Sequence, residues 1–279
     1  MNIPFTGAAK VRAYRALAAA SLALGCVSAW ALPVFTLNPM GATTPLNGGS
    51  VTADNIIVSD YFRVVAGPED GTFTQTGFLS VEGFQLANSS VSSPGLNSTY
   101  GLYISFSGTG QQLSGGNPLT SFTSGSLTKL DYTLFGYNGP AATFSFNAAN
   151  EPTSSVTTAV ALATGTLIQG SVSTAPALNG TTASFVPSAN ASVTFTPVMG
   201  QGDFFANPPD FYNLAFSAFT NPVSTVTVIS ATEFLVTQGG GSFNFAEVTP
   251  PIPEPETYAL MLAGLGAVSF VAKRRKKQG

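Results

Sequence analysis

The chain has 279 residues, with 10 Lys and Arg against 13 Asp and Glu, a net charge of −3 at pH 7 and no histidine. Only 8% of residues are charged and 44% are apolar, including 22 Phe and 8 Tyr, so core material is ample and a disordered polar chain is excluded. Between its cationic ends the chain sets Arg63 and Lys129 against eleven acids from Asp54 to Glu247, a net −9 that disfavours nucleic acid and anionic lipid.

The N-terminus reads as a secretory signal, residues 1–31. Lys10, Arg12 and Arg15 form the positive region, and Ala16–Val27 the apolar core, read as a helix. Ala29 and Ala31 supply the small residues that a signal peptidase reads, so the expected mature chain begins at Leu32. The sole cysteine, Cys26, falls inside this signal, and the preceding Ala23-Leu24-Gly25 fits a lipobox poorly. The exported domain then has no thiol and no disulfide.

From Leu32 to Asn47 the chain is rich in Pro and Gly, with one short strand expected at Val34–Leu37. Strand-like runs follow at Asn55–Val65, Phe78–Leu86, Tyr100–Phe106, Leu127–Tyr137 and Thr143–Phe146. The clearest alternation puts Tyr100, Leu102, Ile104 and Phe106 on one face. Val156–Ile168 contains alanines that permit helix, but its threonines, Val160 and Gly165 favour a strand. Ser192–Thr196, Tyr212–Phe219 and Thr225–Ile229 continue the pattern, and Gln238-Gly239-Gly240-Gly241 is read as a hairpin turn between Phe234–Thr237 and Ser242–Phe245. Such a series of about eight to twelve short strands, with turn residues between them and no helix before Tyr258, predicts an all-β domain over residues 32–249, a β-sandwich or jelly roll.

The chemistry open to this domain is narrow. Without histidine there is no Ser-His-Asp or Cys-His arrangement and no His-based metal site. What remains is a pair of carboxylates of the glycosidase kind, with Asp54, Asp60, Glu82, Asp131 and Asp203 as candidates, but no spacing singles out a pair. A calcium site from Asp54, Asn55 and Asp60 lacks a ligand pattern. The domain is therefore read as non-catalytic, with no cofactor and no metal. Serine and threonine fill the outward strand positions, either as ordinary solvent-facing residues or as a surface that is glycosylated or meshes with polysaccharide. Asn97, Asn179 and Asn190 begin nominal glycosylation triplets, and Tyr103 and Tyr137 are candidates for stacking on sugar rings.

The C-terminal segment, residues 250–279, has three parts in a fixed order. Pro253-Glu254-Pro255 is extended, because each proline lacks an amide proton and Pro255 disfavours helix at Glu254. Residues Tyr258–Ala272 form an almost wholly apolar run, read as a single membrane-spanning helix that falls somewhat short of the roughly 30 Å hydrocarbon core. Lys273, Arg274, Arg275, Lys276 and Lys277 follow as a cytoplasmic stop, which places everything before the helix outside.

This order resembles the PEP-CTERM sorting signal of Gram-negative bacteria that make exopolysaccharide. The resemblance implies that Pro253, Glu254 and Pro255 are the recognition element for an exosortase, with the helix as a transient inner-membrane anchor. The body also resembles the flocculation-associated subgroup, in Phe35–Pro39, Thr52–Asp60, Gly95–Tyr103, Tyr132–Tyr137 and Phe185–Ala191. It implies a protein exported by the secretion machinery, trimmed by signal peptidase and exosortase, and kept in the extracellular polysaccharide matrix, where it helps cells aggregate into flocs or biofilm. A carbohydrate-binding module with a defined sugar site is the first alternative, and a two-carboxylate glycoside hydrolase the second.

Overall fold

The computed structural model describes residues 32–67, 69, 71–207 and 213–246. The strands in chain order are β1 (Phe35–Leu37), β2 (Val51–Ala53), β3 (Asn55–Ala66), β4 (Thr72–Leu86), β5 (Ser89–Val91), β6 (Tyr100–Ser114), β7 (Thr123–Asn138), β8 (Phe144–Phe146) and β9 (Pro152–Ser154). They continue with β10 (Val160–Asn179), β11 (Thr182–Thr194), β12 (Thr196–Pro197), β13 (Phe205–Asn207), β14 (Asn213–Thr220), β15 (Val226–Ser230) and β16 (Glu233–Ala246). The all-β class expected from the sequence is the one observed, and Val156–Ile168 contributes to a strand, β10. Both expected terminal helices, in the signal and at 258–272, lie outside the described residues.

Eight long strands follow one another around a single sheet in the order β3, β4, β6, β7, β10, β11, β14, β16, every pair antiparallel. The sheet closes because β16 pairs back onto β3, from Glu233 opposite Val65 to Phe243 opposite Ile56. Pairing of β10 with β11, Asn179 opposite Thr182 through Leu167 opposite Val193, completes the ring. The facing walls pack as the two layers of a sandwich do. Their connectivity is up-and-down between sequence neighbours rather than the Greek key of a jelly roll. Closure also leaves no long unpaired edge among these eight strands, which protects a surface poor in charge from edge-to-edge association.

The two ends of the barrel differ. At the end where β3 begins, β1, β2 and β13 form a small three-stranded sheet. Phe35, Leu37, Leu46, Phe204 and Phe205 belong to the same buried cluster as Phe195, Phe243 and Phe245 of the barrel. Ring pairs there meet edge to face, Phe35 with Phe245 at 5.0 Å and Phe195 with Phe205 at 5.0 Å, the geometry the aromatic quadrupole favours. This end is a packed floor. The opposite end carries the β3–β4 turn, the 115–122 loop, the β10–β11 hairpin and the β14–β16 connection. The described chain leaves at the floor, since Ala246 pairs with Asn213 at the start of β14.

The alternation read at Tyr100–Phe106 holds, with Tyr100, Leu102 and Ile104 all buried inside. One local expectation fails. Gln238–Gly241 is not a hairpin turn, because β16 runs unbroken through it with an irregularity in its pairing to β3 between Thr237 and Gly239. The cause is steric. A Cβ on Gly239 would lie 1.8 Å from Asn221 Oδ1 and 1.9 Å from Asp60 Oδ1, so the strand needs glycine where two interior polar side chains press against it.

Candidate functional site

The sorting residues Pro253, Glu254, Pro255 and Lys273–Lys277, and the signal residues Ala29 and Ala31, lie outside the described residues. The sequence-predicted carboxylates do fall on the barrel, and the structure keeps them apart. Asp54 accepts a hydrogen bond from the amide of Ala87 at 2.8 Å. Asp131 lies on an outer wall, 2.8 Å from Lys129 Nζ, and this exposed pair holds the lysine pKa up. Asp203 sits in a short 3-10 turn at the floor, and Glu82 is exposed. Asp60 alone faces the barrel interior, so it pairs with none of the others. Among the described residues no three acidic or cysteine side chains gather to hold a metal. Asn55 donates instead to Gln85 at 3.2 Å.

The tyrosines proposed for sugar stacking are packed away. Tyr103 and Tyr137 are 8% and 6% exposed on the outer face of β6 and β7, in one cluster with Phe144 of the β8–β9 hairpin. Tyr103 stacks on Phe135 at 5.1 Å, and the Tyr137 hydroxyl accepts from the Ala142 amide at 2.8 Å. Burial raises the pKa of both hydroxyls. Of the three glycosylation triplets, Asn97 is committed inward, its amide donating to the Val81 carbonyl at 2.9 Å. Asn179 and Asn190 are exposed.

Many outward hydroxyls pair across strands, as Thr36 with Thr52 at 2.8 Å, Thr109 with Thr128 at 2.9 Å and Ser145 with Thr153 at 3.0 Å. Such pairs stabilise the sheet modestly and leave the second lone pair of each oxygen for water or ligand. A shallow depression of about 600 Å³ on the outer wall gathers Thr74, Thr76, Ser105, Ser107, Thr133 and Arg63. Arg63 Nε donates to Glu233 at 2.8 Å at its edge.

A second space, of about 640 Å³, opens inside the barrel at the end away from the floor. Its wall is mainly apolar, with Phe62, Phe73, Phe106, Leu127, Val172 and Phe234. The sequence reading missed this cavity and the residue that accompanies Asp60 there, Asn221. Asn221 Nδ2 donates to Asp60 Oδ2 at 3.0 Å, and the amide of Gly240 donates to Asn221 Oδ1 at 3.0 Å. Asp60 and Asn221 are 1% and 2% exposed. Burial pushes the Asp60 carboxyl up to about 6, opposed in part by the Asn221 hydrogen bond and by its own amide.

Residues 251–276 match the family model of the PEP-CTERM protein-sorting motif. That motif places the chain in the class of exported surface proteins that are processed by an exosortase. Within the class it is a PEP-CTERM protein, recognised by its tail and carrying an up-and-down β-barrel ahead of it. No curated protein and no solved structure matches the chain.

Proposed function

We propose that this protein is a non-catalytic component of the extracellular polysaccharide matrix, released there by an exosortase and contributing to cell aggregation. The observation that carries the reading is the sorting motif at 251–276 joined to a domain with almost no cationic surface. Its hydroxyl-covered strands support contact with neutral or hydrated polysaccharide through many weak hydrogen bonds, with no cationic patch to bind nucleic acid or phosphate. The candidate carboxylates, held at separate places, support a role without turnover. Removing the gene from the producing cells should lower flocculation, and the full chain should restore it. A chain with alanines at 253–255 should be exported yet fail to restore it. Normal flocs in cells lacking the protein would overturn the proposal.

A second reading, a carbohydrate-binding module, draws support from the depression lined by Thr74, Thr76, Ser105, Ser107 and Thr133. It expects saturable, sugar-selective binding that Thr76→Val and Ser105→Ala weaken together. Unsaturable association indifferent to both changes favours the matrix reading.

A further inference from the structure

An eight-stranded barrel is just wide enough either to fill its interior with side chains or to hold one small ligand. The inward positions of this barrel divide between the two along its axis. Toward the floor they are large, among them Leu102, Ile104, Leu134, Phe243 and Phe245, all buried in one cluster. Toward the other end several are glycine. A Cβ on Gly108 would meet Leu130 and Gln75, and one on Gly110 would meet Phe73. A Cβ on Gly125 would meet Val172, and one on Gly170 would meet Leu127. All of these neighbours belong to the cavity wall. With no side chain from the four glycines, about 640 Å³ stays open, a size common for small-molecule sites.

The strand period sorts β4 between the two spaces. Thr74, Thr76 and Phe78 line the outer depression, while Phe73, Gln75 and Leu79 line the cavity. Gln75 is thus a polar residue on a mainly apolar wall, and it is only half-buried. Its side-chain amide makes no hydrogen bond with any described residue, and neither of its polar atoms is sealed from solvent. It offers the cavity a donor and an acceptor without charge. Other polar groups of the wall are committed. Thr123 and Thr174 pair their hydroxyls at 2.7 Å, and Asp60 is sealed within the strand wall beside Asn221 and Gly239. No lysine or arginine lines the cavity, and its acids besides Asp60 are Glu69 and Glu233. A carboxylate would find no counter-charge there, and an ammonium would lose its hydration against apolar side chains. Pro118 and Leu119 of the 115–122 loop and Val228 and Ser230 of β15 belong to the lining, at the end away from the floor where the chain departs toward the sorting motif.

We propose that the open end of the barrel binds an uncharged lipophile, an apolar body with one neutral polar group such as a ketone, which hydrogen-bonds the side-chain amide of Gln75. The apolar wall holds the body and Gln75 fixes its orientation. This site stands apart from the matrix role and from the outer depression, and is tested separately.

The experiment uses the full chain and a methyl ketone bearing a photoreactive diazirine on its alkyl chain, with crosslinked peptides mapped by mass spectrometry. Label should appear in peptides containing Phe73, Leu127 and Val172, and 2-octanone should compete at least about tenfold better than octanoate. Gln75→Leu should weaken 2-octanone by about fivefold relative to octane, because it removes the hydrogen bond and keeps the wall apolar. A purely structural role for Gln75 would weaken both competitors alike. Val172→Phe, which fills the cavity, should abolish wall labelling, with circular dichroism confirming the fold; Ala189→Leu makes the same test if that variant does not fold. Absence of wall label on the folded chain overturns the proposal. So does label that survives a folded filling variant, octanoate competing as well as 2-octanone, or a ketone-to-alkane ratio unchanged by Gln75→Leu. Label spread evenly over tail and barrel identifies membrane-like partitioning only and equally overturns it.

Discussion

Replacing Asp60 by Asn should stabilise this protein, and by an amount that depends on pH. The folded-state carboxyl titrates near 6 against an ordinary 3.8, so the native barrel holds the proton more tightly than the unfolded chain. The shift of about two pH units corresponds to about 3 kcal/mol of penalty once the group must ionise. Below about pH 3.8 both states are protonated and the penalty is absent. Between 3.8 and 6 the unfolded chain releases its proton first, and stability falls by about 1.4 kcal/mol per pH unit from this group. Above about 6 the full penalty remains. Asn at the same place keeps an acceptor for Asn221 Nδ2 and never ionises. The stability difference between variant and parent, from urea unfolding at pH 4 to 8, should therefore rise to a plateau of about 3 kcal/mol near pH 6.5. Taking the difference cancels the other carboxylates. A difference that is flat from pH 4 to 7, or a variant less stable than the parent at pH 7.5, would falsify the assignment of a strained interior carboxylate.

Gly239→Ala should destabilise by about 2 to 4 kcal/mol, because its Cβ lands within 1.9 Å of Asp60 and Asn221; an unchanged urea midpoint would show that the strand has slack there. Tyr103→Ala should cost about 3 kcal/mol of stability, measured by thermal or urea unfolding, and leave polysaccharide retention unaltered. Loss of retention at full stability would return Tyr103 to a sugar-contacting role. Deleting Lys273–Gly279, or placing alanines at Pro253, Glu254 and Pro255, should stop tail processing while export continues, as seen by immunoblot of membrane and extracellular fractions. A normal processed product from either variant contradicts the sorting role.

The fold was legible where the side-chain period was strict. Tyr100–Phe106 alternates cleanly and β6 follows it, while Asn55–Val65, legible as a β-branched and aromatic run, becomes β3. Asp60 stood in the sequence only as one of five carboxylates that no spacing singled out, and its place inside, in phase with Ile56, Val58, Phe62 and Val64, comes from the closed barrel. Closure was not legible, because the pairing of β16 with β3 joins residues nearly two hundred positions apart and leaves no local trace. The glycines at 239–241 misled for a physical reason, since glycine serves a turn and a crowded strand equally well. Tyr103 and Tyr137 look outward by alternation, and only the β8–β9 hairpin that covers them makes them core. The tail was the most legible part, because proline pair, apolar run and basic stop each have a meaning that depends on composition and order alone.

The central claim is tested most directly by the intact mass of the protein recovered from the producing cells' extracellular matrix. A species that begins at Leu32, ends near Pro253 and carries added hexose mass is the predicted result. A species that retains Lys273–Lys277, carries no added mass and is found only with the membrane contradicts the account.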